Sequence, residues 1–251
     1  MLERYNTLWT ITILNRRALY KNKILGQLWS FLDPLMLMGV YTVLVILIFK
    51  RDEPQFPVLL FSVILAWRWF IYTMSKAASV MQDNKGIIQT TAFPKILLPL
   101  SCILDGFLDY LAGLLILVPL LFVFKASFSI YMLWLPLLLT VQLILTIGLA
   151  LFFTVVGVYL ADIKNILQFS LRLLFYLSPA LYTVAVIPNY LRIYYMTLNP
   201  FAPLFESYKN VLVRGQPPSE YIGITLLMSI GLFIFGYKLF NKHQYGLAKA
   251  L

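Results

Sequence analysis

Residues 19–34 have the sequence LYKNKILGQLWSFLDP, in which a basic surface segment becomes a membrane-spanning one within a few residues. Lys21 and Lys23 favour water or lipid headgroups, and Trp29 suits the membrane interface because its ring is apolar and its N–H group polar. The apolar run of residues 35–49 continues into hydrocarbon. The order basic, aromatic, apolar predicts that the chain enters the membrane here from the cytoplasmic face.

Composition extends this interpretation to the whole chain. Hydrophobic residues make up 61% of the 251 positions and charged residues only 12%. Several apolar runs approach the ~20 residues that a helix needs to cross a bilayer, and a soluble domain could not bury them all. We therefore predict an all-α integral membrane protein with six spans, at residues 29–49, 57–77, 99–124, 131–160, 166–186 and 221–240.

Charge distribution predicts the orientation. About twice as many lysines and arginines lie outside the spans on the side of the N-terminus as on the other side, so both termini are predicted in the cytoplasm. The excess of 20 basic over 10 acidic residues is then a consequence of topology and gives no reason to expect nucleic acid as a partner. We predict one transmembrane domain: an interface segment at 1–28, five spans within 29–183, an extracytoplasmic segment at 184–220, and the sixth span and tail at 221–251.

The two segments that flank the spans also have helical patterns. The N-terminal segment is predicted to be an amphipathic helix on the membrane surface, although Thr12 and Arg16 interrupt its apolar side; the alternative is a partly ordered tail. Within 184–220 we predict two short outer helices, because Asn199 and Pro200 resemble a helix start and Gly215 resembles a helix stop.

The sequence offers no catalytic or metal-binding motif. No G-x-x-x-x-G-K-[ST] phosphate loop occurs, so any ATPase must be another chain. His243 and Cys102 are the sole residues of their types, so neither a histidine- or cysteine-based metal site nor a Ser/His/Asp triad is predicted. We expect no cofactor and no metal in this chain.

Charged side chains within the predicted spans require an explanation, because they are costly in hydrocarbon unless paired or facing a wet cavity. Arg68, Asp109 and Arg172 have similar estimated depths, and Asp105 shares a helical face with Asp109. We predict that Arg68 or Arg172 pairs with one of these aspartates. The pair is either a structural salt bridge, or one of the arginines lines the path of an anionic substrate.

Aromatic residues are 16% of the chain and cluster on the first, second and fifth spans. Sugar rings stack well on such side chains, although interface belts and ordinary packing explain many of them equally well. The candidates for a channel lining are Trp29, Phe31, Trp67, Phe70, Tyr176 and Tyr182.

Five ordered segments resemble one family, the permease subunits of ATP-driven polysaccharide exporters, namely the O-antigen and teichoic-acid members of the type 2 ABC exporter superfamily. They are LGQLW (25–29), FPKILLP (93–99), DIKN (162–165), YLSPALY (176–182), and the series LNP (198–200), ESYK (206–209) and GQP (215–217). Ala161 departs from the pattern, since relatives commonly carry arginine before the aspartate, which puts in doubt a salt bridge at that position.

The resemblance implies a homodimer joined to two ATP-binding subunits that carry ATP and Mg²⁺. The complex would export a glycan attached to a polyprenyl diphosphate across the bacterial inner membrane, through a channel lined by aromatics. Segments after Ser178 would form outer gating helices. The implied ATPase-coupling residues are Asp83, Ile87 and Ile88, and the implied entrance for the lipid diphosphate, among membrane lipids, is Arg16, Arg17, Lys21 and Lys23.

Several alternatives stay open. A teichoic acid, capsule, drug or lipid exporter of the same superfamily would share these segments, and a secondary transporter of the same size would need no stacking channel. A membrane enzyme of lipid metabolism is the alternative from another class.

Overall fold

A computed structural model describes residues 2–20, 26–50, 53–90, 93–160 and 162–250. All regular secondary structure in these ranges is helical, as predicted for an all-α membrane protein. The helices are α1 (Leu2–Tyr20), α2 (Trp29–Thr42, continued by a π-helical Val43–Ile48), α3 (Phe56–Ala77), α4 (Val80–Asp83), α5 (Lys85–Thr90), α6 (Leu97–Val123), α7 (Leu135–Tyr159, preceded by a 3₁₀ turn), α8 (Ile163–Leu177), α9 (Asn189–Leu198), α10 (Phe201–Lys209, continued by Asn210–Arg214) and α11 (Ile222–Ala250).

Among the described residues, five helices are long and apolar enough to cross a membrane. They are Trp29–Ile48, Phe56–Ala77, Leu97–Val123, Ile130–Tyr159 and Ile222–Gln244. These correspond to the predicted first, second, third, fourth and sixth spans, with boundaries shifted by a few residues.

The predicted fifth span is not one continuous helix. Its helical part, α8, has 15 residues, which is about 23 Å at ~1.5 Å per residue and shorter than the ~30 Å of a bilayer core. Ser178 ends the helix with extended backbone angles, φ −98° and ψ 153°, as expected for a residue that precedes a proline. The continuous span at 166–186 was therefore wrong, because Pro179 breaks it.

The two short helices predicted between the fifth and sixth spans are present as α9 and α10. The backbone N–H of Phe201 donates to the Asn199 side-chain carbonyl at 3.0 Å, which satisfies one free group at the start of α10. Gly215 ends the segment in the left-handed region at φ +64°. α10 is not a surface helix, however, because Phe201, Phe205 and Tyr208 are almost completely buried.

The centre of the bundle is α3. Most of its side chains are buried, and it packs against α6 on one side and α7 and α10 on others. α11 packs along α7, where the backbones approach so closely that a Cβ atom at Gly236 would lie 2.0 Å from the carbonyl oxygen of Gly148. Small residues at helix crossings are a common way of packing membrane helices.

The N-terminal helix forms as predicted, but it is not amphipathic. Its polar and apolar side chains are not separated onto two faces, and it packs against α6. Thr12 is fully buried and its hydroxyl donates to the carbonyl of Leu8 at 2.9 Å. Thr12 and Arg16 interrupt the apolar side of α1 in the sequence. In the structure the helix packs against α6 with both side chains largely buried.

Candidate functional site

A groove of about 570 Å³ lies between α2, α3 and α8. It exists because α3 is not covered along one stripe. Among the residues of α3, those that are partly exposed are Arg68, Ile71, Tyr72, Ser75 and Lys76, a spacing of three and four that keeps them on one helical face. The first four of them line the groove.

The walls of the groove are aromatic. They include Tyr41 from α2, Trp67 and Tyr72 from α3, and Phe175 and Tyr176 from α8. The Trp67 and Phe175 rings lie 5.7 Å apart, and the hydroxyls of Tyr41 and Tyr176 are 3.2 Å apart. Ring contacts of this kind hold the wall in one arrangement and present flat apolar faces to the groove.

The wall is supported from behind by α10. Phe201 meets the Trp67 ring edge-on with centroids 5.1 Å apart, and Phe205 does the same at 5.9 Å. Phe70 is only 1% exposed and packs on Phe201 at 4.6 Å. Its predicted place in a channel lining was therefore wrong, because its face of α3 is the one that α10 covers.

The other predicted channel aromatics are distributed as follows. Trp67 and Tyr176 line the groove, Trp29 is exposed at the start of α2, and Phe31 is half-buried there. The Tyr182 hydroxyl is 3.0 Å from that of Tyr195 on α9. The groove therefore brings together two of the six candidates.

The predicted pairing of the intramembrane charges was wrong. Within the described residues neither Arg68 nor Arg172 forms an ion pair with Asp105 or Asp109. Arg68 reaches Asp33 on α2 with an N···O distance of 3.3 Å. Similar depth did not lead to pairing because both aspartates have a partner on the N-terminal helix, outside the spans.

Arg16 of α1 is the partner of both aspartates. Its guanidinium donates to the Asp105 carboxylate at 2.9 Å and also forms an ion pair with Asp109. The Tyr72 hydroxyl donates to the other carboxylate oxygen of Asp105. This network links α1 through α6 to a side chain that lines the groove.

One of the four residues predicted at the entrance for a lipid diphosphate, Arg16, belongs to this network. The Arg16 side chain is 15% exposed and engaged with two carboxylates, so it is not available at the membrane surface as predicted. Arg17 is exposed and stays a candidate. Lys21 and Lys23 lie outside the described residues.

The predicted ATPase-coupling segment corresponds to α4 and α5. Ile87 is 53% exposed, whereas Ile88 is 6% exposed and packs in the core, so the prediction that both isoleucines form a docking surface was wrong for Ile88. Asp83 accepts a hydrogen bond from the Ser79 hydroxyl at 2.7 Å. The Gln82 side chain donates to the carbonyl of Gly157 at 2.8 Å, which fastens α4 to the end of α7.

The sequence did not predict the environment of Lys209. Lys209 is 3% exposed, and its ammonium group donates to the carbonyls of Pro179 and of Tyr182, the latter at 3.0 Å. Burial lowers the pKa of Lys209 to about 8, although the nearby Glu206 carboxylate acts in the opposite direction. The signal in the sequence was a lysine directly after Tyr208, in a segment that also carries the apolar residues Phe201, Leu204 and Phe205.

Comparison with known proteins identifies one matching family and several relatives. Residues 6–213 match the profile of the family described as ABC-2 type transporter. Two Klebsiella pneumoniae proteins named O-antigen export system permease protein RfbA are 29% and 28% identical to this chain over 248 residues, which is 98% of this chain and 95% of each relative. A Myxococcus xanthus protein of the same name is 26% identical over 241 residues, 94% of this chain and 91% of the relative.

Replacing Arg16 should destabilise the fold more than replacing its neighbour. Arg16→Met leaves two neighbouring carboxylates without their guanidinium, and breaking a buried pair in this way typically costs about 3–5 kcal/mol. The control Arg17→Met removes an exposed charge and should leave the thermal unfolding in detergent nearly unchanged. Equal unfolding temperatures for the two variants would contradict the structural role of Arg16.

The lowered pKa of Lys209 predicts that the free energy of unfolding rises with pH. Below about pH 8 the lysine is charged in both the folded and the unfolded chain, and the cost of burying the charge is fully present. Between that value and the ordinary lysine pKa of about 10.4, the unfolded chain binds more protons, so stability increases. Between about pH 7.5 and 9.5 the apparent melting temperature of the wild type should rise relative to that of Lys209→Met. The control Lys164→Met removes an exposed lysine and should keep the wild-type profile; a flat difference for Lys209→Met would refute the prediction.

Proposed function

This chain belongs to the ABC-2 type transporter family, and on that basis we propose that it is the membrane subunit of an ATP-driven exporter of polysaccharide carried on a polyprenyl diphosphate. Its apolar helices and its family make it a multi-pass protein of the inner membrane. The relatives named O-antigen export permeases extend over nearly the whole chain, which supports a glycan as the exported molecule.

The observation that carries the proposal is the aromatic groove. A long glycan needs a path that is hydrated and that its sugar rings can contact with their apolar C–H faces. The groove offers Trp67, Tyr72 and Tyr176 as such faces and Arg68 and Arg172 as polar groups. A second copy of the chain facing this groove would close it into a channel, so the proposal includes a homodimer.

Two arginines in the groove also bear on the alternatives. An exporter of apolar drugs gains nothing from cations in its path, because their desolvation opposes the binding of an apolar molecule. A transporter of polar or anionic glycans can use them as hydrogen-bond donors. A teichoic acid or capsule polymer would make the same contacts, so the groove supports the class of glycan and not one member of it.

The energy for transport is proposed to come from partner chains. The sequence has no phosphate loop, so two ATP-binding subunits would bind ATP and Mg²⁺ and move the permease through α4 and α5. Both termini and these two helices would face the cytoplasm, while α9 would lie on the outer side near the exit. Opening of the channel would follow from a shift between two arrangements of the helices.

Tyr176 provides the test of the stacking path. It is 49% exposed, and removal of its ring by Tyr176→Ala should lower glycan export about two- to tenfold at normal protein level, corresponding to the ~0.5–1.5 kcal/mol of an aromatic contact. Tyr176→Phe keeps the ring and should retain most export. The matched control is Tyr237→Ala, which removes a tyrosine that is 45% exposed on α11 and outside the groove. Normal export by Tyr176→Ala, measured as surface glycan in a complemented deletion strain, would argue against the path.

Ile87 provides the test of ATPase coupling. An exposed isoleucine on a short helix is suited to a hydrophobic groove of a partner, so Ile87→Asp should weaken co-purification of the ATPase and lower ATP turnover by the complex. Gln89→Asp places the same charge on an exposed position of the same helix and should have a smaller effect. ATP hydrolysis by the purified permease alone, or unchanged coupling in Ile87→Asp, would refute this part of the proposal.

A further inference from the structure

We propose that Arg172 and Arg68 form a binding site for a phosphate or diphosphate group carried on a lipid, within the groove between α2, α3 and α8. The inference deepens the proposed function and rests on it in one respect, namely that the groove faces the transported molecule. It assigns the charged end of that molecule to two particular side chains.

Arg172 is the first of the two cations in the proposed site. It lies on α8, lines the groove and is exposed, and within the described residues it has neither an ion pair nor a hydrogen bond. An arginine within the apolar part of a membrane protein is costly, and such residues usually mark a substrate or ion path when no structural partner neutralises them. No carboxylate is among the described residues that line this groove.

Arg68 is the second cation in the proposed site. Its contact with Asp33 is a single N···O distance of 3.3 Å between side chains that are 35% and 46% exposed. A guanidinium has five N–H donors in a planar fork, so one long contact leaves most of them free to reach a ligand. A pair with this exposure contributes little, and an anion in the groove would compete with Asp33 for Arg68.

The surroundings favour an oxyanion with several acceptors. Gln168, one turn before Arg172 on α8, and Ser75 on α3 add neutral donors to the same groove. Trp67 and Phe175 form an apolar wall beside these donors. Guanidinium forks match phosphate oxygens in geometry, and phosphate is the anionic group that a membrane supplies in its headgroups.

Size is consistent with the assignment. A volume of about 570 Å³ falls within the ~300–1,000 Å³ of small-molecule sites. It accommodates a diphosphate together with the first sugar or the first isoprene unit. The groove is therefore large enough for the junction of a lipid-linked molecule and not only for a free ion.

The experiment measures binding to the full purified chain in a neutral detergent by calorimetry. Four probes are compared: geranyl diphosphate, geranyl monophosphate, geraniol and inorganic diphosphate. We expect geranyl diphosphate to bind at least tenfold more tightly than geraniol, since both have the same tail. Inorganic diphosphate distinguishes the sources of the anion: much weaker binding identifies a lipid-borne group, and equal binding would overturn the lipid part of the proposal.

Three variants locate the site. Arg172→Gln should weaken binding of geranyl diphosphate by about tenfold or more, as expected when a charged hydrogen-bond partner is lost. Lys164→Gln removes a positive charge from the same helix at an exposed position outside the groove and should bind like the wild type. Asp33→Asn should strengthen binding, because it removes the carboxylate that competes for Arg68. A thermal unfolding curve of each variant confirms that the fold is intact.

Two results would overturn the inference: equal affinity of Arg172→Gln and the wild type for geranyl diphosphate, or equal affinity of the wild type for geranyl diphosphate and geraniol. Loss of dimerisation in Arg172→Gln without a change in affinity would assign the groove to contacts between two copies of the chain and would also reject it. The proposed function fails separately. If the binding pattern holds but a deletion strain shows normal surface glycan, the phosphate site stands and the glycan assignment falls.

Discussion

The burial of α3 is the constraint on which the rest of the structure depends. A helix surrounded by α6, α7 and α10 presents side chains to packing in almost every direction. The one stripe that its neighbours leave uncovered carries Arg68, Tyr72 and Ser75, and this stripe is a wall of the groove. The charged side chains Arg68 and Lys76 of α3 lie on this stripe, whereas the buried hydroxyls of Ser62 and Thr73 donate to backbone carbonyls of their own helix.

α3 also connects the groove to the exposed helix α5. The chain leaves α3 at Ala77 and enters α4 at Val80, and the Gln82 side chain fastens this junction to the end of α7. On the other side, Tyr72 donates to Asp105, which Arg16 holds from α1. Contacts between packed side chains therefore run without a break from α5 and from α1 to the groove.

Sequence predicted what depends on local pattern and missed what depends on tertiary partners. Apolar runs predicted six spans, and five of them are helices long enough to cross a membrane. Asn199, Pro200 and Gly215 predicted the limits of α10 and its extension. The prediction of a continuous fifth span was wrong because hydropathy does not register the break that Pro179 imposes on the helix. The partner of Asp105 could not be predicted, because it lies 89 positions away in the chain, on a helix outside the spans. The spacing of Arg68, Tyr72 and Ser75 was the available signal for the groove.

The aromatic wall and the segment after α8 are stabilised together. The rings of Phe201 and Phe205 support Trp67 from behind, and both belong to α10, whose last residue is Lys209. The Lys209 ammonium in turn holds the carbonyls of Pro179 and Tyr182, which lie beyond the broken end of α8. Because carbonyl dipoles replace the water that a buried cation loses, this contact compensates for part of the cost of burial. The same side chain therefore fixes both the position of α10 behind the groove and the turn that leads from Tyr176 to Tyr182.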